Sequence, residues 1–186
     1  MIKTSRCFRG QVWIETVIYT LIALVLIGAV LVVIKPKIEA LQDRTMIENS
    51  IGIMNQINSK ILEVVQGGAG NIRELQIQLR AGDIIVDGKD DSIVFKMTSS
   101  DVFSQPGQDV NYGPIIIRTE GETRENTVTL KLNYSESYNI KLKTPENVNA
   151  SDIMKDFQKA GTPYTFVISN KGKDIQGKPV IDIEVK

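Results

Sequence analysis

The chain has no histidine and a single cysteine, Cys7, among its 186 residues. Imidazole bases, paired thiolates and the commonest transition-metal ligands are therefore missing, which argues against an ordinary hydrolase or zinc enzyme. Carboxylates remain, and the most oddly placed is Glu15. It sits near the start of "QVWIETVIYTLIALVLIGAVLVVI", residues 11–34, where every other side chain is uncharged. A carboxylate in hydrocarbon costs about 2.5–3.5 kcal/mol at the centre of a spanning helix and less near its end, so Glu15 calls for a partner.

The other groups of chemical interest lie far downstream. Asp83, Asp87, Asp90 and Asp91 offer hard oxygen ligands within nine residues. They lack the Asp-x-Asp-x-Asp-Gly spacing and the closing glutamate of a calcium loop, so a solvated hairpin turn is expected instead. Any two of these acids could be imagined as a glycosidase pair, but no spacing singles out two of them. "GGAG" at residues 67–70 is followed by no Gly-Lys-Ser/Thr, which makes it a helix cap or hinge and not a phosphate loop. Two triplets, Asn133-Tyr134-Ser135 and Asn149-Ala150-Ser151, fit the acceptor pattern for N-linked glycans. No cofactor or metal site is expected.

These side chains need elements to hold them. Residues 12–34 form roughly 34 Å of helix at 1.5 Å per residue, enough for a bilayer core of about 30 Å. Lys3, Arg6 and Arg9 precede the span, and the positive-inside rule keeps that end in the cytoplasm and places the residues beyond Lys35 outside. A secretory leader would have a shorter apolar run, closed by small residues. Here the small residue, Gly10, lies before the apolar run, so a cut there would remove the charges and leave the helix on the mature chain.

The arrangement "RG", then Gln11, then Glu15 on a continuing apolar helix resembles the class III signal peptide of archaeal type IV pilins. The resemblance is specific over residues 6–34 and general beyond them. It implies that a prepilin peptidase cuts after Gly10 on the cytoplasmic side, making Gln11 the first mature residue and Glu15 the fifth. It further implies that Glu15 registers an incoming subunit, against a neighbour's freed N-terminal amine, within a core of bundled helices. An N-terminal glutamine can cyclise to pyroglutamate and lose that amine. Gln11 follows the archaeal pattern, whereas bacterial type IV pilins usually begin with an aromatic residue. "QVWIE" also departs from the small, apolar start usual in archaellins.

After the span, Lys35-Pro36-Lys37 marks the outer interface, and Pro36 predicts a kink. Ile38, Leu41, Ile47, Ile51, Met54, Ile57, Ile61 and Val65 then recur with helical spacing over residues 37–66, giving an amphipathic extension. From Ile72 the period changes to two. "ELQIQLR", "DIIVDG", "SIVFKM", "PIIIRTE", "TVTLKLNY", "YNIKLK", "YTFVIS" and "VIDIEVK" read as strands. "ASDIMKDFQKAG" reads as a short helix capped by Ser151 and ended by Gly161.

The fold class expected is α+β: a long N-terminal transmembrane and amphipathic helix followed by an antiparallel β-sandwich-like domain. Its parts are a cleaved leader (1–10), the helix (11–66), a glycine-rich hinge (67–71) and an extracellular β-rich domain (72–186). Lys plus Arg and Asp plus Glu number 22 each, and no basic cluster with aromatics points to nucleic acid. The resemblance implies a structural role without catalysis. The chain would be a subunit made in the membrane, polymerised with copies of itself or other pilins into an extracellular filament, and used for adhesion. Its partners would be the peptidase, an assembly ATPase and a membrane platform protein. In the filament, Gly28 and Ala29 would let helices approach closely. The rivals are a signal-anchored membrane protein with a ligand-binding β domain and, within the class, an archaellin or a minor pilin.

Overall fold

The computed structural model describes residues 9–100, 102–121, 125–143 and 154–186, and only the backbone of residues 9–12. A single helix, α1 (Arg9–Gln66, 58 residues), leads into ten strands. These are β1 (Ile72–Ile77), β2 (Asp83–Asp87), β3 (Ser92–Ser99), β4 (Asp109–Tyr112) and β5 (Ile115–Gly121), followed by β6 (Asn126–Asn133), β7 (Asn139–Leu142), β8 (Met154–Gln158), β9 (Tyr164–Lys173) and β10 (Pro179–Val185).

α1 runs through Pro36 without ending. Proline removes one backbone bond, to the carbonyl four residues earlier, and the helix continues on both sides of it. The helix ends where glycine permits a left-handed turn. Gly67 N–H donates to Glu63 O at 3.0 Å, Gly68 N–H to Val65 O at 3.1 Å, and Gly68 takes φ +79°.

The chain divides into two compact units, Met1–Leu41 and Gln42–Lys186, so the second unit begins inside α1 and not at the glycines. The physical reason is the apolar stripe. Ile47, Ile51, Met54, Ile57, Ile61 and Val64 are all buried and join one core with both sheets. Val64, not the expected Val65, is the buried residue of the last turn, and Val65 packs at the margin. Ile38 and Leu41 continue the stripe towards the N-terminus but are exposed.

Sheet A has the order β1-β9-β10-β7, and sheet B the order β4-β5-β6-β3-β2-β8. All ladders are antiparallel except β7 with β10, which run parallel. Alternation places Ile93, Phe95 and Met97 of β3 and Val128, Leu130 and Leu132 of β6 in the core, with Val94, Lys96, Thr129 and Lys131 on the other face. The architecture is thus α+β, with a long apolar N-terminal helix followed by mainly antiparallel sheets.

Two expectations need correction. Residues 154–158 are strand β8, not helix: they pair with β2 from Asp83 opposite Gln158 to Asp87 opposite Met154. Phe157 enters the core at 6% exposure, while Met154 and Asp156 on the other face are exposed. The spacing of Met154 and Phe157 imitates a helical turn, but β2 has an unpaired edge to satisfy, and the ladder wins over local propensity. Ser151 lies outside the described residues, and Gly161 sits in a bend that caps no helix. The other omission is β4, whose "DVNY" lies between turn residues.

Asp91 ties the two sheets together. Its carboxylate Oδ1 accepts the Ile140 N–H of β7 at 2.7 Å, and its carbonyl accepts the Tyr134 N–H at 2.9 Å. It does so at φ +47°, a left-handed conformation that Asp, Asn and Gly tolerate. Burial raises its carboxyl pKa above the ordinary value, against the opposing effects of the Ile140 N–H and the Lys178 charge. A raised folded-state pKa means that the ionised form is penalised: the penalty is present at neutral pH and disappears as pH falls towards the unfolded value near 3.8. Asp91→Asn keeps the acceptor and the φ but cannot ionise. Its Tm is expected to equal or exceed that of the parent at pH 7, with the difference closing towards pH 3. Asp91→Ala orphans a buried N–H and should cost about 1–3 kcal/mol; thermal unfolding of the two variants across pH measures both effects.

Candidate functional site

The N-terminal half of α1 is a row of exposed, lipid-like side chains. From Trp13 to Glu39 every residue is exposed, Leu24 by 72% and Val32 by 76% among them. This part of α1 is long and apolar enough to cross a membrane. The polar groups inside it are few and mostly satisfied locally. Thr20 Oγ1 donates to Thr16 O at 2.6 Å and lies 3.0 Å from Val17 O, so its hydroxyl is bonded without a partner from outside. Lys35 and Glu39 form an exposed ion pair at 3.9 Å just past the apolar run.

Glu15 is exposed on α1, two residues from Trp13. No local hydroxyl or cation serves it among the contacts described, in contrast to Thr20 and Lys35. Gly10 and Gln11 fall at the start of the described part of α1, where only the backbone is described. Gly28 is a further oddity of this half. A Cβ built there would meet nothing within 4 Å, so among the described residues no contact explains a glycine that costs about 1 kcal/mol relative to alanine in a helix.

In the second unit, the four acids weighed for calcium are used in turn and sheet geometry. Asp87 Oδ1 accepts the N–H groups of Lys89 at 2.9 Å and Asp90 at 3.2 Å, shaping the β2–β3 turn, and Asp91 is bonded to β7. Asp83 lies at the far end of β2. Among the described residues no three acid, histidine or cysteine side chains are grouped as a metal site.

Asn133 lies exposed at the end of β6. Its Oδ1 accepts the Ser135 N–H at 3.2 Å, so the side-chain carbonyl is turned back to the chain. Between them Tyr134 is buried and donates its hydroxyl to Asn58 Oδ1 of α1 at 3.0 Å. Burial pushes the Tyr134 phenol well above its ordinary pKa. Asn149, the other acceptor triplet, lies outside the described residues. Sequence reasoning passed over Val110 and Tyr112 of β4, which are large, apolar and exposed; the alternation in "DVNY" was their only signal.

Searches with the chain against models of protein families, curated proteins and solved structures find no match.

Proposed function

We propose that this chain is a structural subunit of a type IV pilus-like extracellular filament, made as a membrane precursor and polymerised through α1. The observation that carries the reading is the construction of α1. One continuous helix has an uncovered apolar half bearing a single acid near its start, and a second half that forms the core of a β domain. A tether for a solitary ectodomain needs the first half only as an anchor, and gains nothing from Glu15 or from Gly28. In a filament the same surface exchanges lipid for neighbouring helices, Gly28 permits close approach, and Glu15 finds a cationic partner.

In this reading the peptidase removes residues 1–10, the sheets form the filament surface, and the loops contact other cells or solid surfaces. Function lies in assembly and adhesion, without catalysis. The test is intact-mass and N-terminal peptide analysis of protein from membranes and from sheared cell-surface material. The expected result is a chain beginning at Gln11, cyclised or not, and enriched in the sheared fraction. A chain still beginning at Met1 and confined to membranes would favour a signal-anchored binding domain and sink the proposal.

A further inference from the structure

Ile47 is the first buried residue of α1 among those described, and upstream of it only Ala40, Asp43 and Met46 are even half-buried. One turn before Ile47, apolar contact gives way to a polar one. Asp43 Oδ2 accepts the Ser100 N–H at 2.7 Å and the Ser100 hydroxyl at 2.6 Å. Ser100 directly follows β3, so two bonds to a single carboxylate oxygen tie the helix to the end of a sheet B strand, across 57 residues of chain. The second compact unit begins at Gln42, immediately before this tie.

The tie is separable from the core on three grounds. Its surroundings are open: a groove of about 690 Å³ lies beside it, with Asp43, Met46, Ala81 and Met97 in its lining. Ser100 is exposed, so water can replace the carboxylate on both donors and no buried group is orphaned when the contact opens. The far end of the helix is held independently. Asn58 accepts the Tyr134 hydroxyl, Glu63 pairs with Arg73 at 3.5 Å, and Val64 O lies 3.4 Å from the Asn170 amide.

We propose that Asp43 and Ser100 form a releasable clasp on α1. Closed, it makes the turn before Ile47 part of the domain. Open, it lets that turn leave the sheet while the core from Ile47 onward stays folded. The clasp thus sets where along α1 the domain begins, and gives the helix two free lengths upstream of it. Every contact invoked lies within the second unit, so the clasp serves a filament subunit and a singly anchored chain alike.

Amide hydrogen exchange of the detergent-solubilised full chain tests this, because a helical turn released from its sheet is marginally stable and exchanges readily. In the parent, residues 42–47 are expected to exchange faster than residues 51–57 by roughly tenfold or more, the mark of local opening. Asp43→Ala should speed exchange at 42–47 by about a further tenfold, the effect of losing bonds to a charged group, and leave β9 and β10 unchanged. Alanine is the better helix former, so such a rise cannot come from helix propensity. Asp43→Asn keeps an acceptor oxygen and should restore most of the protection. Ser100→Ala should have a smaller effect alone and none in the Asp43→Ala background, since the two side chains act through each other. Equal exchange of 42–47 and 51–57 in the parent, or no change on Asp43→Ala, would overturn the clasp. A rise shared by β9 and β10 would overturn it by making Asp43 a support of the whole fold. Additive effects of Asp43→Ala and Ser100→Ala would overturn it as well.

Discussion

Glu15→Ala is expected to leave the precursor inserted in the membrane and to reduce the sheared filament fraction by at least tenfold, equivalent to roughly 1.4 kcal/mol or more per subunit. The two effects separate because they arise from opposite sides of one balance. Alanine at position 15 improves insertion, since it removes the cost of holding a carboxylate at the edge of hydrocarbon. Assembly loses instead, because a cationic partner in the filament recovers that cost only when the carboxylate is present. Glu15→Gln tells charge from hydrogen bonding. If an amine is the partner, Gln should assemble closer to Ala than to the parent; if a neutral donor or acceptor is the partner, Gln should retain most of the filament. Immunoblots of membrane and sheared fractions give the numbers. An Ala variant that sheds filaments at the parental level would remove Glu15 from the mechanism.

The largest loss of fold stability is expected at Asn170. This side chain is 4% exposed in β9 and joins three segments. Its Oδ1 accepts the Gly172 N–H at 2.8 Å and its Nδ2 reaches Val64 O of the last turn of α1 at 3.4 Å. Its backbone exchanges bonds with the segment after the helix, donating to Asn71 O at 3.0 Å and accepting from Gly70 N–H at 2.8 Å. Asn170→Ala leaves the Gly172 donor without its partner and opens a gap at the helix end. About 2–4 kcal/mol should be lost, and Tm should drop by roughly 5–15 °C for a domain of this size. Asn170→Asp keeps the acceptor but turns an ionised oxygen towards the Val64 carbonyl. Burial would raise the pKa of that acid, so its damage should be greatest at neutral pH and fade as acidification restores a proton to donate. Thermal unfolding of the detergent-solubilised chain at two pH values decides the matter. Equal Tm for Asn170→Ala and the parent would show that the backbone bonds alone hold this junction.

Neither the Asn170 junction nor the Asp91 tie was legible in the sequence, and for the same reason. Asn170 meets Val64 across 106 residues and Asp91 meets Ile140 across 49, and no local pattern encodes such pairings. What local patterns encode was readable. The period-two segments became β1, β2, β3, β5, β6, β7, β9 and β10, because half-buried strands must alternate. The stripe on α1 revealed its buried face, and the glycines after Gln66 revealed its end. β8 was misread because four or five residues are too few to separate the two periods when the deciding contact is a ladder with β2. The parallel pairing of β7 with β10 depends on a connection through two other strands. At the candidate site, the positions of Gly10, Gln11 and Glu15 came from sequence alone. Which strands lie at the edges of sheets A and B depends on long-range pairings that no local pattern encodes.

The place of β10 has a consequence for the order in which the domain can be completed. It is the penultimate strand of sheet A, bonded to β9 on one side and to β7 on the other, yet it spans residues 179–185. Until residue 185 has emerged, β7 has no ladder partner in its sheet. With contacts spanning up to 106 residues, folding is set by non-local closure and is slow relative to helix formation. In the proposed membrane precursor, a chain delivered across the bilayer in sequence order therefore passes through a stage in which the stripe from Ile47 to Val64 and the early strands have emerged and are still unsealed. In that proposal, the incomplete domain whose last strand has yet to arrive is the species most exposed to misassembly.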